Sequence, residues 1–197
     1  MLRRAGLSIL ILCLGGLGLA WHGQLLWKVE QGAFSITLPG KPDYSTEMNP
    51  AWPSECRTHS YTCSTAFRAY VASYALMPRD LRNAVTKALE EDPKGEDVRY
   101  VLNEVVHGLT QAAPGAKITE DQFLMTQGFP TRKVKIEMPN GMTLYAMALV
   151  TQDRLYTLAM ANPKSVDNPE AAKGYFDSLK LDTGGITTAH PVDPIGN

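Results

Sequence analysis

The chain has 197 residues, with 19 Lys and Arg against 20 Asp and Glu, and is 44% hydrophobic. A near-neutral balance gives no electrostatic case for a nucleic-acid partner. Apolar content at this level, arranged with clear periodicity, excludes a disordered chain, and the length suits one domain with a sizeable core.

The chain begins with Arg3 and Arg4, an apolar run from Ala5 to Ala20, and the ending Gly18-Leu19-Ala20. A positive start, an apolar middle and a small-x-small end have the layout of a secretory signal, and place the protein outside the cytoplasm, periplasmic or extracellular. Two versions stay open. Cleavage after Ala20 frees the domain; retention of residues 1–20 anchors it in the inner membrane, with Trp21 and Trp27 at the interface. As a helix the run is roughly 24 Å long at about 1.5 Å per residue, slightly short of a hydrocarbon core of about 30 Å. Cys13 follows large residues, Ile11 and Leu12, which fits a lipid-attachment site poorly. No later apolar run approaches a span, so membrane contact is expected only through residues 1–20.

From Trp27 to Leu38 the pattern reads as one strand, with Phe34, Ile36 and Leu38 alternating against Ser35 and Thr37. Pro39-Gly40 ends it. Residues 41–54 carry Pro42, Pro50 and Pro53 and predict an irregular loop. A strand pair follows, its clearer member Ala66 to Leu76. Leu81, Ala84, Val85, Ala88 and Leu89 fall on one helical face, with Asp80 as the expected cap. After a break at residues 91–95, Val98, Val101, Leu102, Val105, Val106 and Leu109 form the strongest helical stripe. Pro114-Gly115 closes it.

The rest is mainly β. Ile118 to Thr126 predicts a strand and Gly128-Phe129-Pro130 a turn. Val134, Ile136 and Met138 then alternate with Lys133, Lys135 and Glu137, one face buried and one wet. Pro139-Asn140-Gly141 is a hairpin signal. Met142 to Val150 and Leu155 to Met160 predict a second hairpin around Gln152-Asp153. Asn168 and Pro169 match an N-cap and a first helical position, opening a helix with Ala172, Tyr175, Phe176 and Leu179 inward. Residues 182–197 read as a loose tail. The organisation is therefore a signal or anchor at 1–20, one domain at 21–181, and the tail.

This order supports a resemblance. Phe34-Ser35-Ile36-Thr37-Leu38-Pro39-Gly40-Lys41-Pro42 resembles the opening of bacterial exported domains with the PsbP-like fold. Gly128-Phe129-Pro130-Thr131-Arg132, Arg154-Leu155-Tyr156-Thr157-Leu158 and Tyr175-Phe176-Asp177-Ser178-Leu179-Lys180-Leu181 are similar to three later landmarks of that family. In the last of these, leucine replaces the second phenylalanine. The resemblance covers about residues 27–181. It implies an α/β (α+β) domain with an antiparallel β-sheet sandwiched by helices, usually without catalysis. PsbP itself is an extrinsic subunit of photosystem II, and many bacterial relatives have no assigned function. The family supplies no catalytic residue to carry over.

The residues offer little catalytic chemistry. His22, His59, His107 and His190 show no metal-ligand spacing, and no nucleophile, zinc or phosphate-loop motif occurs, so no catalytic residue, metal or cofactor is assigned. The acidic stretch around Pro93 reads as a solvated loop, and Arg132, Lys133 and Lys135 as a solvated strand face. Cys56 and Cys63 are an even pair for an oxidising compartment, which favours a disulfide. The strand-forming residues between them oppose it. Seven extended steps cover about 23 Å, whereas bridged Cα atoms lie within roughly 7 Å. Tyr44, Trp52, His59 and Tyr61 are the candidate partner contacts: three aromatics that can anchor a partner or equally cover one edge of a small core, and the histidine with the most polar neighbours. The expected function is a non-enzymatic accessory or binding protein of the cell envelope, its partner another envelope protein. The alternatives are a small-ligand carrier with a sheet–helix cavity, or a hydrolase centred on His59.

Overall fold

The structure, a computed structural model, describes residues 27–49 and 52–182. The expected export segment at 1–20, with Cys13, and residues 183–197 of the expected tail lie outside the described residues. In chain order the elements are β1 (Trp27–Gln31), β2 (Phe34–Leu38), β3 (Asp43–Glu47), β4 (Thr58–Ser64), β5 (Ala69–Leu76), α1 (Arg79–Glu91), α2 (Glu96–Gln111), β6 (Lys117–Thr126), β7 (Phe129–Glu137), β8 (Met142–Val150), β9 (Arg154–Pro163), α3 (Pro169–Asp177) and β10 (Lys180–Leu181).

Seven strands form one antiparallel sheet in the order β3-β4-β5-β9-β8-β7-β6, and β1, β2 and β10 form a small second sheet. Period-two alternation splits the side chains of the large sheet between two cores. On one face Leu144, Ala146, Val134 and Ile136 pack with Val106 and Leu109 of α2, and Ala148, Val150 and Leu155 with Leu102, Val98 and Val85 of the helical pair. On the other face Tyr61, Tyr74, Met147, Leu149, Tyr156, Leu158 and Met160 pack beneath α3 and the small sheet, through Tyr175, Phe176, Phe34, Ile36 and Leu38. The fold is a mixed α+β sandwich around a large antiparallel sheet.

The expected core residues Val134, Ile136, Leu144, Ala146 and Leu158 are all buried. Leu158 lies on the face opposite the other four, among the tyrosines. Both faces of β8 and β9 are covered, so their run of Leu, Ala, Met and Val is nearly continuous, as a doubly buried strand requires.

Several elements differ from expectation. The single strand from Trp27 to Leu38 is a hairpin: β1 and β2 pair from Trp27↔Leu38 to Gln31↔Phe34 around Gly32-Ala33. Both turn residues have positive φ, 65° and 57°, the two-residue geometry whose twist matches a hairpin. The proline-rich loop holds β3, because its prolines lie outside Asp43–Glu47 and leave five residues free to pair with β4. The turn after β6 is Gln127-Gly128; Phe129 and Pro130 already belong to β7. Asp80 sits inside the first turn of α1, where it favours the helix dipole, and Pro78 holds the capping position without a side-chain bond. Ala84 is exposed. Asn168 caps α3 as read, its Oδ1 accepting from the Ala171 amide at 3.0 Å.

Two of the three basic residues of β7, Arg132 and Lys135, are paired rather than solvated. Arg132 and the two lysines point to opposite faces of the sheet. Arg132 Nε and Nη2 donate to the two carboxylate oxygens of Asp121 at 2.9 and 2.7 Å, and Nη1 donates to Asn103 Oδ1 at 2.7 Å. Lys135 Nζ lies 3.0 Å from Asp167 Oδ2, and Tyr145 Oη donates to Asp167 Oδ1 at 2.8 Å.

Both carboxyls are consequently held below the usual range. For Asp121 the hydrogen bonds from Arg132 dominate. For Asp167 burial pushes upward, and the bonds from Lys135, Tyr145 and Asn162 together outweigh it. A depressed folded pKa contributes stability that is complete above the unfolded value of about 3.9 and is lost as pH falls through the folded value. Thermal melts of wild type should therefore weaken below about pH 4, and Asp121→Asn and Asp167→Asn should each flatten that acid limb. Equal slopes in variant and wild type would reject the assignment.

Candidate functional site

Three of the four candidate contact residues meet at one edge of the large sheet. Tyr44 lies on β3 and pairs directly with Tyr61 of β4; His59 is two residues along on the same face. The next strand continues the patch, because His59 pairs with Tyr74 of β5, and Tyr74 with Tyr156 of β9. Alternation alone puts all of these rings on the side that faces the small sheet.

The geometry is tight. Tyr44 Oη and His59 Nδ1 are 2.7 Å apart, so the phenol donates when the imidazole carries its proton on Nε2. The His59 ring stacks on Tyr74 at 4.6 Å with 6° between planes, and Tyr44 lies 5.2 Å from Tyr61. Phe34, delivered by β2, stands edge-on to Tyr61, Tyr74 and Tyr156. Tyr156 Oη donates to the Gly32 carbonyl at 2.9 Å, fixing the β1–β2 turn over the patch. Exposure grades across it: Tyr44 is 41% exposed, His59 8% and Tyr61 5%. Tyr44 is the part that meets solvent, and the residues behind it hold it in place.

Burial sets the chemistry of these rings. It pushes the Tyr61 phenol far above its ordinary value and the Tyr74 and Tyr156 phenols up to about 12. All three stay protonated at physiological pH, and offer O–H donors and ring faces rather than a phenolate base.

Trp52 is not part of the patch as described. It is half-buried in the connection between β3 and β4, where its amide donates to the Asn49 carbonyl at 2.9 Å. Tyr74 is the member that sequence reading missed. Its signal was present: Tyr70, Ala72 and Tyr74 share one face of an alternating strand.

Cys56 and Cys63 are separate thiols, both buried. The reach argument accounts for the separation: β4 runs extended from Thr58, so Cys63 is carried along the strand while Cys56 stays in the loop before it. Cys63 Sγ lies near Gly40, at 3.2 Å from where a Cβ would stand. Burial pushes both thiols up, which lowers their thiolate fraction. In the unreduced protein both should react slowly with a thiol reagent when folded and fully after denaturation. Two cysteines that stay unreactive after denaturation would mean that they are bridged.

His107 is exposed on α2, 2.7 Å from Gln111. Among the described residues no group of His, Cys, Asp and Glu is arranged to hold a metal ion, and no helix is long and apolar enough to cross a membrane.

No protein-family model and no curated protein matches the chain. Solved structures do. The solution structure of cyanobacterial PsbP (CyanoP) from Synechocystis sp. PCC 6803 is similar at a TM-score of 0.52 and 13% sequence identity, over 85% of this chain and 98% of that one. PA94 from Pseudomonas aeruginosa, a protein of unknown function, matches at a TM-score of 0.42 and 11% identity, over 83% of this chain and 99% of that one. The first of these shows the fold alone, which is PsbP-like.

Proposed function

We propose that the chain is an exported, non-catalytic accessory or binding module of the cell envelope that recognises another envelope protein at the Tyr44 edge of its large sheet. The observation that carries this reading is the Tyr44–His59–Tyr74 arrangement. A half-exposed ring is fixed by a hydrogen bond and a stacked pair behind it. Such a pre-ordered aromatic loses little freedom on binding and suits an anchor. Tyr74, the ring stacked on His59, stays protonated, which favours recognition over a hydrolytic role for His59. Arg3, Arg4, the apolar run to Ala20 and its small-x-small end support export.

The test is a pull-down from envelope extracts with wild type, Tyr44→Ala and Trp52→Ala. Wild type and Trp52→Ala should enrich the same protein, and Tyr44→Ala should lose it while melting normally. A wild-type chain that enriches nothing would overturn the reading. Fusing residues 1–30 to a reporter active only outside the cytoplasm should give signal. The mature chain should start at Trp21 if cleavage occurs, and should remain intact and membrane-bound if the segment is kept. A soluble cytoplasmic product would defeat export in both forms.

A further inference from the structure

We infer that the outer edge of β3 is a strand-addition site for an extended, basic segment of a partner protein. The inference rests on the binding-module reading above and deepens it. β3 ends the strand order of the large sheet, and all five of its residues are exposed. Its ladder to β4 runs in regular register from Asp43↔Thr62 to Glu47↔Thr58. An edge strand turns alternate backbone N–H and C=O groups away from its sheet, ready to pair with another chain. Proteins commonly blunt such edges with charged side chains, lysine above all, or with proline, a bulge or a covering element; here the charges are Asp43 and Glu47, which repel acidic strands and admit basic ones. Asp43-Tyr44-Ser45-Thr46-Glu47 contains no lysine or proline, its register is unbroken, and its exposure shows that no described element covers it.

The charges choose the occupant. Alternation puts Asp43, Ser45 and Glu47 on one face and Tyr44 and Thr46 on the other. Among the described residues neither carboxylate is engaged in an ion pair. A second copy pairing antiparallel about Ser45 would set Asp43 opposite Glu47 twice, and a parallel copy in register would set like on like. Both arrangements place like charges directly across a ladder, which destabilises it. A segment with lysine or arginine four residues apart and a small polar residue midway reverses the sign at both ends and matches Ser45 in the centre. Apolar residues between them fall on the Tyr44 face. The ladder supplies affinity, and the alternating side chains supply selection.

The probe is a labelled peptide, Thr-Lys-Val-Ser-Val-Lys-Thr, titrated against the purified full chain by fluorescence anisotropy at low and high salt. Saturable binding that weakens with salt is expected. Asp43→Lys with Glu47→Lys should weaken it by about tenfold or more with an unchanged melting temperature. The same variant should take up the glutamate version of the peptide, which wild type refuses. A peptide with N-methyl groups on alternate backbone amides should lose binding, because the ladder cannot form. Equal binding of methylated and unmethylated peptides, or indifference to the charge reversal, would overturn the inference. If no peptide binds while Tyr44→Ala still abolishes partner capture, the binding module stands and strand addition to β3 is not how it binds. If capture also fails with wild type, both fall.

Discussion

Phe34→Ala should cost about 3–5 kcal/mol of folding stability, the range for removing a buried aromatic side chain, read as a lower midpoint in urea unfolding. Phe34 is 3% exposed and sits at the start of β2, where the small sheet meets the large one. Its ring meets three tyrosines edge-on, with centroids 6.4, 5.8 and 5.6 Å away at Tyr61, Tyr74 and Tyr156. Edge-to-face pairs of this kind contribute about 0.5–1.5 kcal/mol each beyond the area they bury. Their loss adds to the cavity term, since three stiff rings cannot collapse into the space as flexible side chains would. Tyr44→Ala makes the informative contrast. It removes a half-exposed ring and its hydrogen bond to His59, a bond that contributes about 1 kcal/mol, yet should remove partner capture. Phe34→Ala with near-wild-type stability would mean that the small sheet does not dock where the structure puts it.

The elements most legible in the sequence were those whose pattern is set by one buried face. The stripe from Val98 to Leu109 is helical because α2 lies on the sheet along that stripe. The start of α3 was legible because Asn168 and Pro169 act locally, through a single side-chain bond and a fixed φ. What misled was tertiary in origin. Gly32-Ala33 carries little turn signal, since alanine rarely adopts positive φ, so two strands merged into one. β3 has no buried residue, so no hydrophobic period marked it. Only pairing with β4 makes it a strand.

The site was legible to the same degree. Tyr44, His59 and Tyr61 stand out in the sequence as aromatic or polar residues near a proline-rich stretch, and the pairing of β3 with β4 brings them together. Trp52 is near them along the chain, and its described contact is the hydrogen bond from its amide to Asn49 within the connection. Tyr74 could be placed on the right face of its own strand, but its partner strand could not be named without the register His59↔Tyr74. Asp167 and Lys135 were out of reach for the same reason: 32 positions separate a loop residue from a strand lysine, and only the fold makes them an ion pair.

Gly32→Ala should be the most damaging single-methyl change in the described chain, at about 2–5 kcal/mol. Two terms combine. Gly32 has φ of +65°, and a non-glycine residue in the left-handed region costs about 1–2 kcal/mol. A Cβ there would stand 2.5 Å from Tyr74 Cε1 and 2.6 Å from Cδ1 and Cζ, and overpacking of this kind costs about 1–3 kcal/mol. The ring cannot swing aside cheaply, because His59 stacks on it and Phe34 abuts it. Moving the turn instead stretches the bond from Tyr156 Oη to the Gly32 carbonyl. Ala33, with φ of 57°, is the control. Ala33→Gly relieves the left-handed strain while adding freedom to the unfolded chain, so its stability should stay within about 1 kcal/mol of wild type. A double-mutant cycle separates the two terms of the Gly32 effect. In a Tyr74→Ala background the steric term disappears, and Gly32→Ala should cost only the backbone share of about 1–2 kcal/mol. The same cost in both backgrounds would mean that the β1–β2 turn does not rest on Tyr74, and that the small sheet leaves the His59 patch uncovered.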